Sequence, residues 1–153
     1  MKISEVSEKT SSLIGELIAL WEKSARATHL FLPESVILNI KENFLEAALK
    51  NISHLVILKE ENRLLAFMGI EDGKLEMLFL LPEKRGMGIG RKLIEYGIKN
   101  YSINELTVNE QNLQAKGFYE HLGFRVYKRN ETDEQGKPFP VLYMRLNKIY
   151  DSI

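Results

Sequence analysis

Between Leu75 and Ile98 the chain passes from an apolar run through a glycine-rich turn into an amphipathic stretch, an order that few folds accept. The apolar run is Leu75-Glu76-Met77-Leu78-Phe79-Leu80-Leu81, the turn Arg85-Gly86-Met87-Gly88-Ile89-Gly90, and the amphipathic part Arg91-Lys92-Leu93-Ile94-Glu95-Tyr96-Gly97-Ile98. A strand that turns tightly into a helix presents the unpaired N–H groups of the helix start, where the helix dipole adds partial positive charge. Glycines keep side chains away from that backbone, and Arg85, Arg91 and Lys92 add full charges. Such a turn suits a phosphate or pyrophosphate, so a phosphorylated cofactor is the expected ligand. An ordinary turn that only closes a helix onto a strand is the plainer alternative.

Spacing separates the candidate cofactors. Counted from Gly86, Arg91 stands where the dinucleotide fingerprint needs its third glycine, and where the P-loop needs its second. The pattern that fits is Q/R-x-x-G-x-G/A, through Arg85, Gly88 and Gly90. It resembles the pyrophosphate loop of the GCN5-related N-acetyltransferases, the GNAT superfamily, which bind acetyl-coenzyme A. Downstream, Asn112, Ala115, Phe118, Tyr119, Gly123 and Phe124 fall in the order N-x-x-A-x-x-F-Y-x-x-x-G-F. That element is similar to the one following the loop in the same superfamily. By itself it also reads as a short amphipathic helix with Gly123 as its C-cap.

Lysine plus arginine number 21 and aspartate plus glutamate 21, so the net charge is zero. Nucleic-acid and anionic-membrane partners, which draw on a basic excess, are therefore not expected. The chain has no cysteine, which excludes a disulfide framework, a thiolate metal site and a cysteine nucleophile, and fits a cytoplasmic protein. His29, His54 and His121 lack metal-ligand spacing, so no metal is expected. No run approaches the ~20 apolar residues of a membrane span, and Met1-Lys2-Ile3-Ser4-Glu5 opens no signal peptide.

Along the 153 residues, periodicity predicts a helix from about 10 to 27. A second helix after Pro33 would carry Val36, Ile37, Ile40, Phe44, Leu45 and Ala48. His54–Lys59 and Arg63–Glu71, joined by Glu60-Glu61-Asn62, read as a hairpin; Asp72-Gly73 turns into the Leu75–Leu81 strand. A helix to about Tyr101 leads to a short strand, Asn104–Val108, and this crossover makes the two strands parallel. After the Ala115 helix, Phe124–Arg129 and Val141–Leu146 complete the sheet. The expected fold is a single α/β domain over residues 1–153, with a mixed, mostly antiparallel sheet and helices on both faces. It agrees with the GNAT fold, in which the parallel pair splays apart and holds pantetheine.

The resemblance implies a site. Backbone groups of Leu78, Phe79 and Leu80 would pair with pantetheine amides, and residues 85 to 91 (Arg85, Gly86, Met87, Gly88, Ile89, Gly90, Arg91) would hold the pyrophosphate. Asn112 and Phe118 would complete the cofactor site, although Asn112 also suits a plain helix cap. Acetyl transfer to a lysine-like amine of pKa ~10.4 must first remove a proton, a cost of about 4.6 kcal/mol at neutral pH. Tyr119 takes the place of the general acid that protonates the leaving thiolate, packing beside Phe118 being its alternative. Glu76, a carboxylate inside an apolar strand, is the candidate base, or a partner in a salt bridge. Two segments, Arg26–Pro33 and Asn130–Pro140, are expected to flank the acceptor. In them Arg26 and His29 suit an anionic tail, His29 also suits deprotonation, and Asp133 suits an ammonium group. Helix capping and loop order are the structural roles open to the same residues.

The function implied is transfer from acetyl-CoA to the primary amine of a small molecule or peptide, directly within a ternary complex. A non-catalytic acyl-CoA-binding sensor or regulatory module is the alternative. Many relatives dimerise, which leaves a homodimer open.

Overall fold

The computed structural model describes residues 1–147. Its elements run β1 (Lys2–Glu5), α1 (Ser11–Thr28), α2 (Glu34–Asn43), α3 (Leu45–Asn51), β2 (His54–Glu60), β3 (Arg63–Glu71) and β4 (Lys74–Leu80). A 3-10 turn, Pro82–Lys84, precedes α4 (Ile89–Tyr101), β5 (Glu105–Asn109), α5 (Leu113–His121), β6 (Phe124–Asn130) and β7 (Val141–Leu146). The strands form one mixed sheet in the order β1-β2-β3-β4-β5-β7-β6. β4 and β5 run parallel, and the other neighbours are antiparallel. This is the α/β fold expected.

Local chemistry explains most boundaries. Thr10 caps α1, its hydroxyl accepting from the Leu13 amide at 3.1 Å. Along α1, Ile14, Leu17, Leu20, Trp21, Ser24 and Ala25 form one buried stripe. Both hairpin turns use left-handed backbone: φ is 51° at Glu61 and 65° at Asn62, then 48° at Asp72 and 75° at Gly73. Positive φ at both central residues matches the twist of the flanking strands.

Two expectations need correction. The helix after Pro33 is two helices, because Phe44 (φ −126°) breaks it. The break turns Phe44 outward and lets Leu45 and Leu49 reach the core, which one continuous stripe would not allow. The first strand, β1, was not expected; four residues at a sheet edge carry too short an alternation. It is held where Glu5 accepts from the Tyr101 hydroxyl at 2.5 Å and meets His54 Nδ1 at 3.3 Å.

The helices lie on opposite faces. Trp21 of α1 meets Phe79, which meets Phe67, whereas the Gly97 position of α4 abuts Met68. Residues 67 and 68 are neighbours on β3, so their side chains point to opposite sides of the sheet.

One irregularity positions everything described below. On β3 and β4, Gly69 pairs with Met77 and Ile70 with Leu75, so Glu76 is an extra residue, a β-bulge. A bulge bends and twists its strand. The parallel pairing of β4 to β5 covers Lys74↔Glu105 and Leu75↔Leu106 and stops at that point. Beyond it β4 keeps β3 on one side, while β5 continues along β7 to Asn109↔Val141. The two strands part, leaving the β5-facing backbone of residues 77–80 without a strand partner.

Two glycines should respond oppositely to enlargement. A Cβ at Gly15, in the exposed side of α1, meets nothing within 4 Å, so Gly15→Ala should stabilise by about 0.5–1 kcal/mol. A Cβ at Gly97 lies 2.3 Å from Ile103 Cδ1 in the core, so Gly97→Val should cost about 1–3 kcal/mol. Urea unfolding of both variants checks the signs.

Candidate active site

The gap between β4 and β5 opens into two adjoining cavities of 290 and 220 Å³. His29, Leu78, Phe79, Asn112, Ala115 and Tyr119 line both. The larger leads to the glycine-rich turn, and the smaller to Glu76 and the end of β5.

At the turn, Gly86 and Gly88 have φ of 78° and 80°, a region that disfavours any side chain. Gly88 is the N-cap of α4, with no side-chain cap and no acidic residue in the first turn. The first intrahelical bond runs from Lys92 N to Gly88 O at 3.1 Å. The amides of Ile89, Gly90 and Arg91 are therefore left without an intrahelical acceptor. Arg85 and Arg91 line the same cavity; Arg85 donates to Gln114 and Arg91 to Glu95. Gly90 serves a different purpose, since a Cβ there would sit 3.1 Å from Phe118 Cζ and force α4 away from α5. These features fit a pyrophosphate: free amides, two cations and open space above Gly86 and Gly88. Of the turn residues expected to bind, Met87 points its side chain into solvent.

In the middle of the gap, Asn112 caps α5, its Oδ1 accepting from Ala115 N at 3.2 Å, so the cap and a place in the cavity wall coexist. Tyr119 is 9% exposed and packs between Phe118 and Phe124, with centroids 5.2 and 6.1 Å away. Its hydroxyl makes no hydrogen bond among the described residues. Burial raises its pKa, which keeps the phenol protonated at neutral pH.

At the far end, Glu76 Oε1 lies 3.5 Å from Lys74 Nζ, which also reaches Glu134 at 3.1 Å. Burial pushes the Glu76 carboxyl above its usual range, and Lys74 pulls it back. Burial works against the Lys74 ammonium, but Glu134 and Glu76 outweigh it and hold its pKa above the ordinary lysine value. His29 closes α1 as its C-cap; its Nδ1 is 2.9 Å from Thr28 Oγ1, and its ring lies between Phe31 (5.5 Å) and Phe79 (6.3 Å). Burial lowers its pKa, so the imidazole is neutral at pH 7. The two segments expected to flank the acceptor do meet, through Phe31 and Phe139 at 6.3 Å.

Two expected acceptor residues are not brought to the cavities. Arg26 is exposed on α1 and held by Glu22 and Glu34. Asp133 shapes its own loop, accepting from the Gln135 and Lys137 amides at 2.9 and 2.8 Å. Asn109 went unnoticed in the sequence, yet its Oδ1 is buried beside the smaller cavity with no hydrogen-bond partner among the described residues. Its one sequence signal is a polar residue at the carboxyl end of a parallel strand, where ligands collect.

A family model described as acetyltransferase (GNAT) domain matches residues 25–147. The peptidyl-lysine N-acetyltransferase YjaB of Escherichia coli strain K12 is 37% identical over 127 residues, covering 83% of this chain and 86% of that protein. The solution structure of apo-form YjaB from Escherichia coli aligns with a TM-score of 0.82 at 33% identity, over 95% of this chain and 97% of that one. PaiA N-acetyltransferase from Thermoplasma acidophilum, crystallised in complex with coenzyme A, shares the fold with a TM-score of 0.65 at 23% identity, over 95% and 99% of the two chains.

The glycine turn can be tested directly. Gly88→Glu should weaken coenzyme A binding by at least ~tenfold, or about 1.4 kcal/mol, measured by calorimetry on folded protein. Gly88→Ala carries the same backbone strain at φ 80° without the charge, so the additional loss in the glutamate variant reports anion repulsion.

Proposed function

This chain belongs to the GNAT acetyltransferase family and is an N-acetyltransferase; we propose that its donor is acetyl-coenzyme A and its acceptor the side-chain amine of a peptide lysine. The observation that carries this reading is the continuous gap beyond the Glu76 bulge. One end offers free helix amides and arginines, the middle offers unpaired strand backbone and a protonated phenol, and the far end offers groups that accept protons.

Acetyl-coenzyme A supplies an activated thioester. The amides of residues 89–91 with Arg85 and Arg91 bind its pyrophosphate, and the free backbone of residues 78–80 pairs with the pantetheine amides. An N–H at Leu78 or Phe79 faces the carbonyl oxygen on which charge develops. Tyr119 donates its hydroxyl proton toward the departing sulfur. Asn112 holds the start of α5, and so the placing of Tyr119, through its cap on Ala115. Transfer is direct, within a ternary complex, and with no cysteine the chain cannot form a cysteine acyl-enzyme.

The lysine acceptor rests on the printed activity of YjaB and on the shape of the smaller cavity. Leu75, Met77, Val108 and Val141 give it aliphatic walls, which suit a four-carbon stem. Glu76 draws the ammonium inward, because its own cation, Lys74, is shared with Glu134. A thioester donor and a cysteine-free chain are consistent with a reaction in the cytoplasm. The sensor alternative is not favoured, because it leaves the free Tyr119 hydroxyl unused.

Release of coenzyme A from acetyl-CoA in the presence of lysine-containing peptides, with mass spectrometry of the products, is the test. No thiol release with any amine and any short acyl donor would return the chain to a binding module. In the active enzyme, Tyr119→Phe should lower kcat by roughly ten- to a thousandfold while acetyl-CoA affinity stays near wild type. Unchanged turnover would leave Tyr119 a packing residue.

A further inference from the structure

Two groups that can take a proton, Glu76 and His29, line the smaller cavity, and the structure distinguishes them. The Glu76 carboxylate already faces an ammonium, Lys74 Nζ, at 3.5 Å. A proton there would be placed beside a positive charge and would weaken an ion pair.

His29 is arranged differently. The Thr28 hydroxyl donates back to the Ser24 carbonyl at 2.8 Å, the usual bond of a threonine inside a helix. That uses its one proton, so the 2.9 Å contact with His29 is Nδ1–H donating to Oγ1. This assignment follows from the hydrogen-bond network and fixes the tautomer. Nε2 then carries the lone pair, and it has no partner among the described residues. Phe31 and Phe79 hold the ring at the junction of the two cavities.

We propose that His29 Nε2 is the general base that accepts the proton of the acceptor ammonium, while Glu76 binds that ammonium electrostatically. The inference rests on the N-acetyltransferase reading above. In the step, one N–H bond of the ammonium breaks and its proton goes to Nε2. The freed pair forms the C–N bond, the C–S bond breaks, and the sulfur takes the Tyr119 proton. The nitrogen, now acylated, loses its second N–H proton, which passes through water to the phenolate, and the imidazolium gives its proton to solvent. The carboxyl end of α1 favours the transient imidazolium. The charged or titratable groups around His29 are Glu76 from β4, Tyr119 from α5, and Arg85 and Arg91 across the larger cavity. On its own helix Arg26 is already paired with Glu22 and Glu34.

The test is the pH dependence of kcat/KM with a lysine peptide. With a base, the wild type shows a plateau between the imidazole pKa, lowered from 6.5 by burial, and the amine pKa of ~10.4. On the acid side the rate falls as His29 gains its proton. His29→Gln should replace the plateau with a steady climb toward the amine pKa and lower kcat/KM about ten- to a hundredfold at neutral pH. An acceptor amine that is already neutral at the assay pH should recover most of that loss, and acetyl-CoA affinity, which reports folding, should stay unchanged. Thr28→Val, which keeps the ring but frees Nδ1, should lower the plateau and move its acid limb. Glu76→Gln should raise KM and keep the plateau. A plateau retained in His29→Gln, or lost in Glu76→Gln instead, overturns the proposal. A wild type that acetylates no amine overturns the N-acetyltransferase reading, so the two failures are distinct.

Discussion

A backbone amide or carbonyl taken out of water must find a partner, and β4 obeys that rule on one edge only. The extra residue at Glu76 bends the strand, and its pairing with β5 ends at Leu75↔Leu106. Every feature assigned to the site borders the opening this creates. The crossover that makes β4 and β5 parallel passes through the glycine-rich turn, so the positive start of α4 lies at the carboxyl ends of the strands. The same bulge presents Glu76 at the other end of the gap.

The unsatisfied polar groups cluster there as well. The amides of residues 89–91, the Tyr119 hydroxyl and Asn109 Oδ1 all border the two cavities. Of these, Asn109 Oδ1 is the buried side-chain atom with no partner among the described residues, and leaving such a group unpaired costs about 1–3 kcal/mol. That cost is carried by a core that is continuous from α1 through the sheet to α4, with Leu17, Phe67, Leu93 and Phe124 fully buried. A fold that concentrates its unpaired groups in one groove is ready to bind something that pairs them, which is the physical content of the cofactor proposal.

Electrostatics divide the groove. Arg85 and Arg91 face the larger cavity, while the smaller one meets Glu76, neutral His29 and an amide oxygen. A net charge of zero conceals this separation. The segments around Phe31 and Phe139 meet each other, and the Lys74–Glu134 pair ties the second of them to β4. Asp133, the residue expected to meet an ammonium, orders that loop by accepting from the Gln135 and Lys137 amides.

Much was legible in the chain itself. The apolar run, glycine turn and amphipathic run at residues 75–98 determined a strand, a positive helix start and a parallel crossover, because periodicity and glycine spacing act over neighbouring residues. The second motif located Asn112 and Tyr119 on one short helix for the same reason. Tertiary structure decided the remainder. It broke the second helix at Phe44, because Leu45 and Leu49 had to turn toward the core. It added β1, whose four residues gain their order from β2 and Tyr101. It made Glu76 a bulge, a property of register against Gly69 and Ile70 that no local pattern contains. It paired Arg26 with Glu22 and Glu34, and set His29 and Asn109, 80 positions apart in sequence, beside one cavity. Sequence determines what a residue can donate, accept or bury, whereas only the folded chain decides which of those capacities neighbouring groups leave unused.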